Sequence, residues 1–316
     1  MDTWIDLFSN EKSFYDNGQI DQFLKDMKSK DLIYEKDGAT WFRSTSLGKD
    51  QDRVYIKSSG EPTYRVPDTV YHQDKINRGY NLIIDIFGAD HADTYPDVLI
   101  ALDALGLKTD HIHVLLYQFV TLLRAGEKVK MSTRKATFVT MDELVEEVNP
   151  DVLRYFFVMR GMNSHLNFDL DLAADQSEKN PVYYLQYAHA RISSIIRKVE
   201  DEKLFSIDEN FVNNTNLGLL SNSHDIELIK IISNFPRIIE QAAIYREPHR
   251  VAFYLRDLAS SFHSYWNLGN EDNNLKVLNI DNLDETRARL ALIMSVKITI
   301  SEGLRLLGIN ALEELR

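Results

Sequence analysis

"NLIIDIFGADHADTYPDVLIALDALGLKTDHIHVLLY", residues 81–117, decides the fold class. Its opening "NLIIDIFG" is an apolar run closed by Gly88, the pattern of a buried strand. Pro96 stands where a helix over "DVLIALDALG" would begin, and Gly106 where it would stop. "HIHVLLYQFVTLL" (111–123) then starts a second apolar run. Two buried strands flanking a helix predict a parallel βαβ unit, with ligands expected off the carboxyl ends of the strands.

Upstream, "ATWFR" (39–43), "RVYIK" (53–57) and "PTYRV" (62–66) read as short strands joined by Gly-, Ser- and Asp-rich turns. Asp68 is placed to cap a helix through "TVYHQDKINRGY", with Gly79 near its end. After residue 140 the pattern turns helical: "MDELVEEV", then "PDVLRYFFVMR" opened by Pro150, then apolar residues at helical spacing from Pro181 onward. Leu290, Ile293, Ile300, Leu304 and Leu307 form one stripe that stops at Gly308. "DEKLFSIDENFVNNTNLGLLSNSH" (201–224) reads as a long exposed loop. The fold class is therefore α/β followed by all-α.

The totals fit this division. A chain of 316 residues makes about two domains. Hydrophobic residues at 44% and charged residues at 27% are those of a globular protein. No apolar run reaches the roughly 18 residues of a membrane span, so no membrane partner is expected. The acidic start "MDTWIDLFSN" is neither a signal nor a transit peptide, and a cytoplasmic location is expected. Cysteine is absent, which excludes disulfides and thiolate metal sites. A net charge of −12 argues against wholesale coating of nucleic acid, but not against a local basic patch.

Several stretches carry candidate chemistry. "VKMSTRKATFVT" (129–140) gathers Lys130, Arg134 and Lys135 around Ser132 and Thr133. Cations on such a loop can follow a polyphosphate and neutralise a leaving group; the plain alternative is a solvated turn. In "GADHAD" (88–93), Gly88 would let a ligand approach the backbone, and Asp90 would accept from a ribose hydroxyl or simply cap the next helix. Asp90, His91 and Asp93 as a metal site are disfavoured, because three such residues in a row rarely share one ion's geometry. In "TYRVPD" (63–68), Tyr64 and Asp68 would clamp a cationic ligand, since a carboxylate pairs well with a guanidinium. The alternative is a core tyrosine and a capping aspartate.

His111 and His113 share one face of a strand, as surface alternation does. The aspartates of "FDLDL" (168–172) face solvent or cap. "VYYLQYAHARISSIIRK" (182–198) and "YREPHRVAFYLR" (245–256) mix Arg191, Arg197, Lys198, Arg246, Arg250 and Arg256 with Tyr187, His189, Tyr245 and Tyr254. Rings that stack on bases and cations that hold phosphates suit single-stranded nucleic acid; amphipathic core helices are the alternative.

In chain order, "WFRST", "GEPTYRVPDTVYH", "GADH", "KMSTRKATFVT", "RYFFVMRGMNSHLNFDLDLA" and "NPVYYLQYAHARISSI" resemble blocks of the arginyl-tRNA synthetases, a class I aminoacyl-tRNA synthetase family. The likeness runs from about residue 4 to the end of the chain, and the long blocks near 155–195 are its most specific part. It implies the second half of a Rossmann-type catalytic domain with a KMSKS-like loop (1–140), a helical connecting segment that meets the tRNA stem (141–178), and a helical anticodon-binding domain (179–316). It implies an arginine–tRNA ligase that takes L-arginine, ATP with Mg2+ and tRNA as substrates, acts as a monomer and holds no tightly bound cofactor.

Carried over residue by residue, the resemblance makes Lys130, Ser132 and Arg134 catalytic at the triphosphate, with Met131 beside ATP. Tyr64, Asp68 and His91 hold arginine, and Gly88, Asp90 and His91 line the ATP side. Tyr187, His189, Arg191, Arg197, Arg246 and Arg250 meet tRNA. Departures are Thr133 where the family often has a second lysine, Ala136 where glycine is common, and "HADT" (91–94) in place of "HHGY". The family's HIGH motif is absent: no H-x-G-H occurs in the chain, and the Rossmann half that carries it would precede residue 1. The expectation is a fragment inactive alone, the alternative a non-catalytic RNA-binding protein of synthetase descent.

Overall fold

The computed structural model describes residues 3–129 and 139–315, which fall into two compact units divided between Phe119 and Val120. That boundary lies upstream of the one expected at residue 140.

The first unit opens with α1 (Glu11–Asp16) and α2 (Gln19–Ser29), then a meander of β1 (Ile33–Lys36), β2 (Ala39–Phe42) and β3 (Arg53–Ile56) paired antiparallel in that order. "PTYRV" is not a strand: Pro62 makes a single bridge to Ile56, and α3 (Arg65–Asn77) has begun by Arg65. Pro67 permits this because the first helical turn has no backbone donor to lose. Asp68 therefore lies inside the helix rather than capping it, its amide donating to the Tyr64 carbonyl at 3.1 Å.

β4 (Ile83–Gly88), α4 (Tyr95–Leu105) and β5 (Ile112–Tyr117) form the expected βαβ unit. The strands are parallel, in register from Ile83 opposite Ile112 to Gly88 opposite Tyr117. Pro96 sits in the first turn of α4, and Gly106 ends it in the left-handed conformation at φ 90°, which glycine adopts without steric cost. Ile83, Val98, Leu102 and Ile112 close a small core between strands and helix. Phe14, Phe23, Met27, Phe42, Tyr55 and Val66 build a second core around the meander.

The apolar run 111–123 is two strands, not one. β6 (Val120–Arg124) belongs to the second unit, where it pairs antiparallel with β7 (Glu127–Lys128) and parallel with β8 (Leu166–Asp169). α5 (Met141–Glu147) is held by a reciprocal capping box between Thr140 and Glu143, and α6 (Pro150–Val158) starts on Pro150. Asp169 ends β8 and caps α7 (Leu170–Ala174), as one reading of "FDLDL" had it.

Then come α8 (Pro181–Asp201), α9 (Ser223–Ser233), α10 (Phe235–Tyr245), α11 (His249–Glu271) and α12 (Leu283–Leu306), with Gly308 left-handed just beyond. One continuous apolar core joins them, from Leu122 to Ile309. The 201–224 segment is not freely exposed: Phe211 and Leu220 are buried in that core. Its asparagines serve as turn and cap formers, with Asn216 and Asn222 accepting from backbone amides downstream.

Candidate functional site

In the first unit the chemistry gathers between α3 and the carboxyl end of β4. β4 alternates, so Ile83 and Asp85 point inward while Ile84 and Ile86 point outward. Asp85, only 5% exposed, is a charge in an apolar strand and must be paired. Its carboxylate takes His72 Nε2 at 2.9 Å on one oxygen and Lys75 Nζ on the other. These partners hold the Asp85 carboxyl below the usual range against the opposing effect of burial. His72 Nδ1 lies 2.7 Å from the carbonyl oxygen of Asp68, so Nδ1 is the donor there. The network ties the α3 turn bearing Asp68 to the strand leading to Gly88.

Asp68 is half-buried, and burial pushes its carboxyl up, opposed by the charges of His72, His91 and Lys75. Among the described residues no side chain forms an ion pair or hydrogen bond with the Asp68 carboxylate; His72 and Lys75 are committed to Asp85. One turn earlier, the Tyr64 side chain stands 85% exposed. It is not the core tyrosine of the plain reading.

Gly88 leads into a 3-10 turn, Ala89–His91. A Cβ on Gly88 would lie 2.5 Å from Asp90 Oδ1, so only glycine leaves room for the aspartate to fold back there. Asp90 and His91 are exposed, and the His91 ring stacks on Phe87 with centroids 5.3 Å apart. Gly88, Asp90, His91, Tyr64 and Asp68 thus all belong to this unit. Lys130, Met131, Ser132 and Arg134 lie outside the described residues.

His72, Lys75 and Asp85 are not among the expected site residues. Asp85 carried a signal, a carboxylate within "LIIDIF". His72 and Lys75 stand four and seven positions after Asp68, on the same helical face.

In the helical unit a groove of about 770 Å³ opens between α8, α11 and the C-terminal segment, lined by Tyr187, Arg191, Arg197, Lys198, Trp266 and Lys276 among others. Four cations against Glu314 make it locally positive in an acidic chain. The Arg191 guanidinium lies 4.4 Å from the Tyr187 ring centroid and 5.8 Å from that of Trp266. Arg197 reaches Glu314 at 3.7 Å. Trp266 and Lys276 were absent from the expected contacts, since only the fold brings the end of α11 and the segment after it beside α8, whereas Lys198 belongs to the basic and aromatic set of residues 182–198.

Three expected tRNA contacts lie elsewhere. His189 is buried, with Nδ1 2.9 Å from the Leu312 carbonyl, and burial pushes its pKa down; there it anchors the C-terminal segment. Arg246 is the left-handed residue ending α10, at φ 58°. Arg250 pairs with Glu247 at 2.5 Å and covers the Tyr245 ring. Both sit at the α10–α11 corner.

This architecture, a parallel βαβ unit and then a helical bundle, matches two family models. Residues 3–158 match "tRNA synthetases class I (R), catalytic domain", and residues 185–315 match "DALR anticodon binding domain". Together they define a class I aminoacyl-tRNA synthetase: Rossmann-like α/β followed by a helical anticodon-binding domain. Among curated proteins, an arginine–tRNA ligase of Salinibacter ruber is 47% identical over 97% of this chain and 52% of its own length. One from Desulfotalea psychrophila is 46% identical over 98% and 54%. A Campylobacter jejuni structure assigned to arginyl-tRNA synthetase superposes with a TM-score of 0.80 at 32% identity, over 99% of this chain and 65% of that one. The Thermus thermophilus arginyl-tRNA synthetase shares the fold, with a TM-score of 0.74 at 22% identity. The chain belongs to the arginyl-tRNA synthetase family, and it spans about half the length of the curated relatives it matches.

Proposed function

We infer that this chain serves ATP-dependent arginine–tRNA ligation, its first unit binding L-arginine and its helical unit binding the anticodon region of an arginine tRNA. The observation that carries this reading is the unclaimed Asp68 carboxylate. It is half-buried, without an ion-pair partner among the described residues, and sits one turn from an exposed tyrosine. A guanidinium is planar, permanently charged and able to meet a carboxylate through two parallel N–H donors. Tyr64 would cover it, and His91 would border it at the end of β4.

Gly88 and Asp90 offer a close-approach turn and an exposed acceptor suited to the ATP ribose. Lys130, Ser132 and Arg134 are assigned the triphosphate, Mg2+ arriving with ATP as part of the substrate. The chain's own contribution is positioning: arginine is held so that its carboxylate attacks the α-phosphate and pyrophosphate leaves, with Lys130 and Arg134 neutralising that leaving charge. Among the described residues no helix is long and apolar enough to cross a membrane. A cytoplasmic monomer is the state proposed.

Calorimetric titration with L-arginine and with L-citrulline, its neutral isostere, tests the amino-acid side. Arginine should bind and citrulline should not, because citrulline leaves the buried carboxylate unpaired. Equal binding of both, or of neither, sinks the assignment of Asp68. Retained tRNA binding without arginine binding would favour a non-catalytic RNA-binding role.

A further inference from the structure

Arg191 on α8 is held unlike the other cations of its groove. Its Nη2 donates to the Tyr187 hydroxyl at 2.5 Å and its Nη1 to His263 Nδ1 at 3.1 Å. Both partners are neutral, and among the described residues no carboxylate is paired with this guanidinium. The cation therefore keeps its charge, packed between the Tyr187 and Trp266 rings on the groove wall.

His263, on α11, does not line the groove. It is 8% exposed, and its ring is sandwiched by Tyr184 and Tyr187, with centroids 4.7 and 5.6 Å away. Accepting from Arg191 at Nδ1 puts the ring proton on Nε2, and Nε2 is buried without a hydrogen-bond partner. The Tyr184 backbone favours a proton on the ring, although Nε2 makes no hydrogen bond of ordinary geometry, and the acceptor role at Nδ1 fixes which nitrogen carries the single proton. The ring must also stay neutral, because a proton on Nδ1 would face the guanidinium. Burial, then the charge of Arg191, push its pKa down to about 4.

Resting on the proposed anticodon reading, we propose that His263 is a positioning residue for tRNA specificity, aiming the Arg191 guanidinium so that its remaining donors face a nucleotide base in the groove. A guanidinium locked at two nitrogens presents a rigid planar fork, which discriminates base edges, whereas a loose cation follows only phosphate. His263 touches no RNA itself. It acts through Arg191.

The test uses the full chain, an arginine tRNA transcript and the same transcript with a non-arginine anticodon, with binding constants measured across a salt series. His263→Phe keeps the ring stack and removes the acceptor. It should lower the cognate preference about tenfold, the range of one lost bidentate contact, and leave the salt slope unchanged. His263→Gln, which keeps an acceptor, should restore part of the preference. Arg191→Gln combined with His263→Phe should do no more than Arg191→Gln alone.

Full cognate preference in His263→Phe, or a loss that multiplies with that of Arg191→Gln, overturns the proposal. So does equal weakening of both transcripts with a salt slope lower by about one, which would make Arg191 a phosphate contact. Should His263→Phe fail to fold by circular dichroism, Arg191→Lys decides: it keeps the charge without the fork, and unchanged cognate preference overturns the idea. A wild-type chain with no preference defeats the anticodon reading itself, an outcome distinct from all of these.

Discussion

The two units bury charge differently, the first in knots of several partners and the second one group at a time. In the first, Asp97 is fully buried at the start of α4 and drawn to three cations: Arg65 Nε at 2.8 Å, Arg53 Nε at 3.0 Å and Lys49 Nζ at 3.7 Å. Asp85 holds two more partners, His72 and Lys75. In the helical unit the core is one apolar block spanning helices of 21 to 24 residues, His189 and His263 are buried with lowered pKa values, and the buried charges stand singly, Asp225 accepting from the Tyr265 hydroxyl and Arg289 pairing with Glu285 at 3.1 Å. A unit of short elements has little apolar area to fasten its segments, so ion knots hold β3, α3, α4 and β4 in place. The Asp85 knot also occupies His72 and Lys75, two of the cations whose charge reaches Asp68, and among the described residues the Asp68 carboxylate is left without an ion-pair partner.

The sharpest break of this contrast is Asp97→Asn. It leaves three cations around a neutral amide and should cost about 3–5 kcal/mol, the range for breaking a buried pair. Hydrogen exchange should quicken in α3 and α4 while α8 and α11 stay protected; equal loss in both units would show that the knot is not local.

The matching lesion in the helical unit is steric. A Cβ at Gly303 of α12 would meet Leu255 Cδ2 of α11 at 2.5 Å, and Leu255 is fully buried. Gly303→Ala should cost about 1–3 kcal/mol of overpacking, read by chemical denaturation, although alanine is the better helix former. A stabilised variant would mean that α11 and α12 move apart freely.

Asp68→Asn should separate stability from binding. Burial raises the Asp68 pKa, so its charge opposes folding at neutral pH, and the amide should stabilise the first unit by about 0.5–1 kcal/mol. Arginine binding should vanish in the same variant. A destabilised Asp68→Asn would mean the carboxylate is structural.

The pH prediction separates the units most gently. His263 and His189 have folded pKa values below their usual 6.5, so the unfolded chain binds their protons first. Stability of the helical unit is full above 6.5 and falls as pH drops from 6.5 towards the lowered values. Thermal melts of wild type and His263→Phe from pH 7.5 to 5 check this, and the variant should show the shallower decline.

Much of the architecture was legible because it rests on local rules. Pro96 and Gly106 bracket α4, the apolar runs mark β4 and β5, and the stripe ending at Gly308 traces α12. The site was legible only where a motif was contiguous, as at Gly88–His91. Asp68 was read as a cap because its helix start depends on where the Tyr64 turn leaves the meander, which no local propensity dictates.

The sequence alone determined the two-part α/β and helical division and the likeness to arginyl-tRNA synthetases, since periodicity, turn residues and contiguous motifs survive without folding. Tertiary structure decided which charges are spent and which are left. Lys75 and His72 answer Asp85 across ten and thirteen positions, and Arg191 finds His263 seventy-two positions away. His189 and His263 have similar aromatic neighbours in sequence, yet one tethers the chain end and the other holds an arginine. Ion pairing and burial depend on distance in space, and for these residues packing sets that distance.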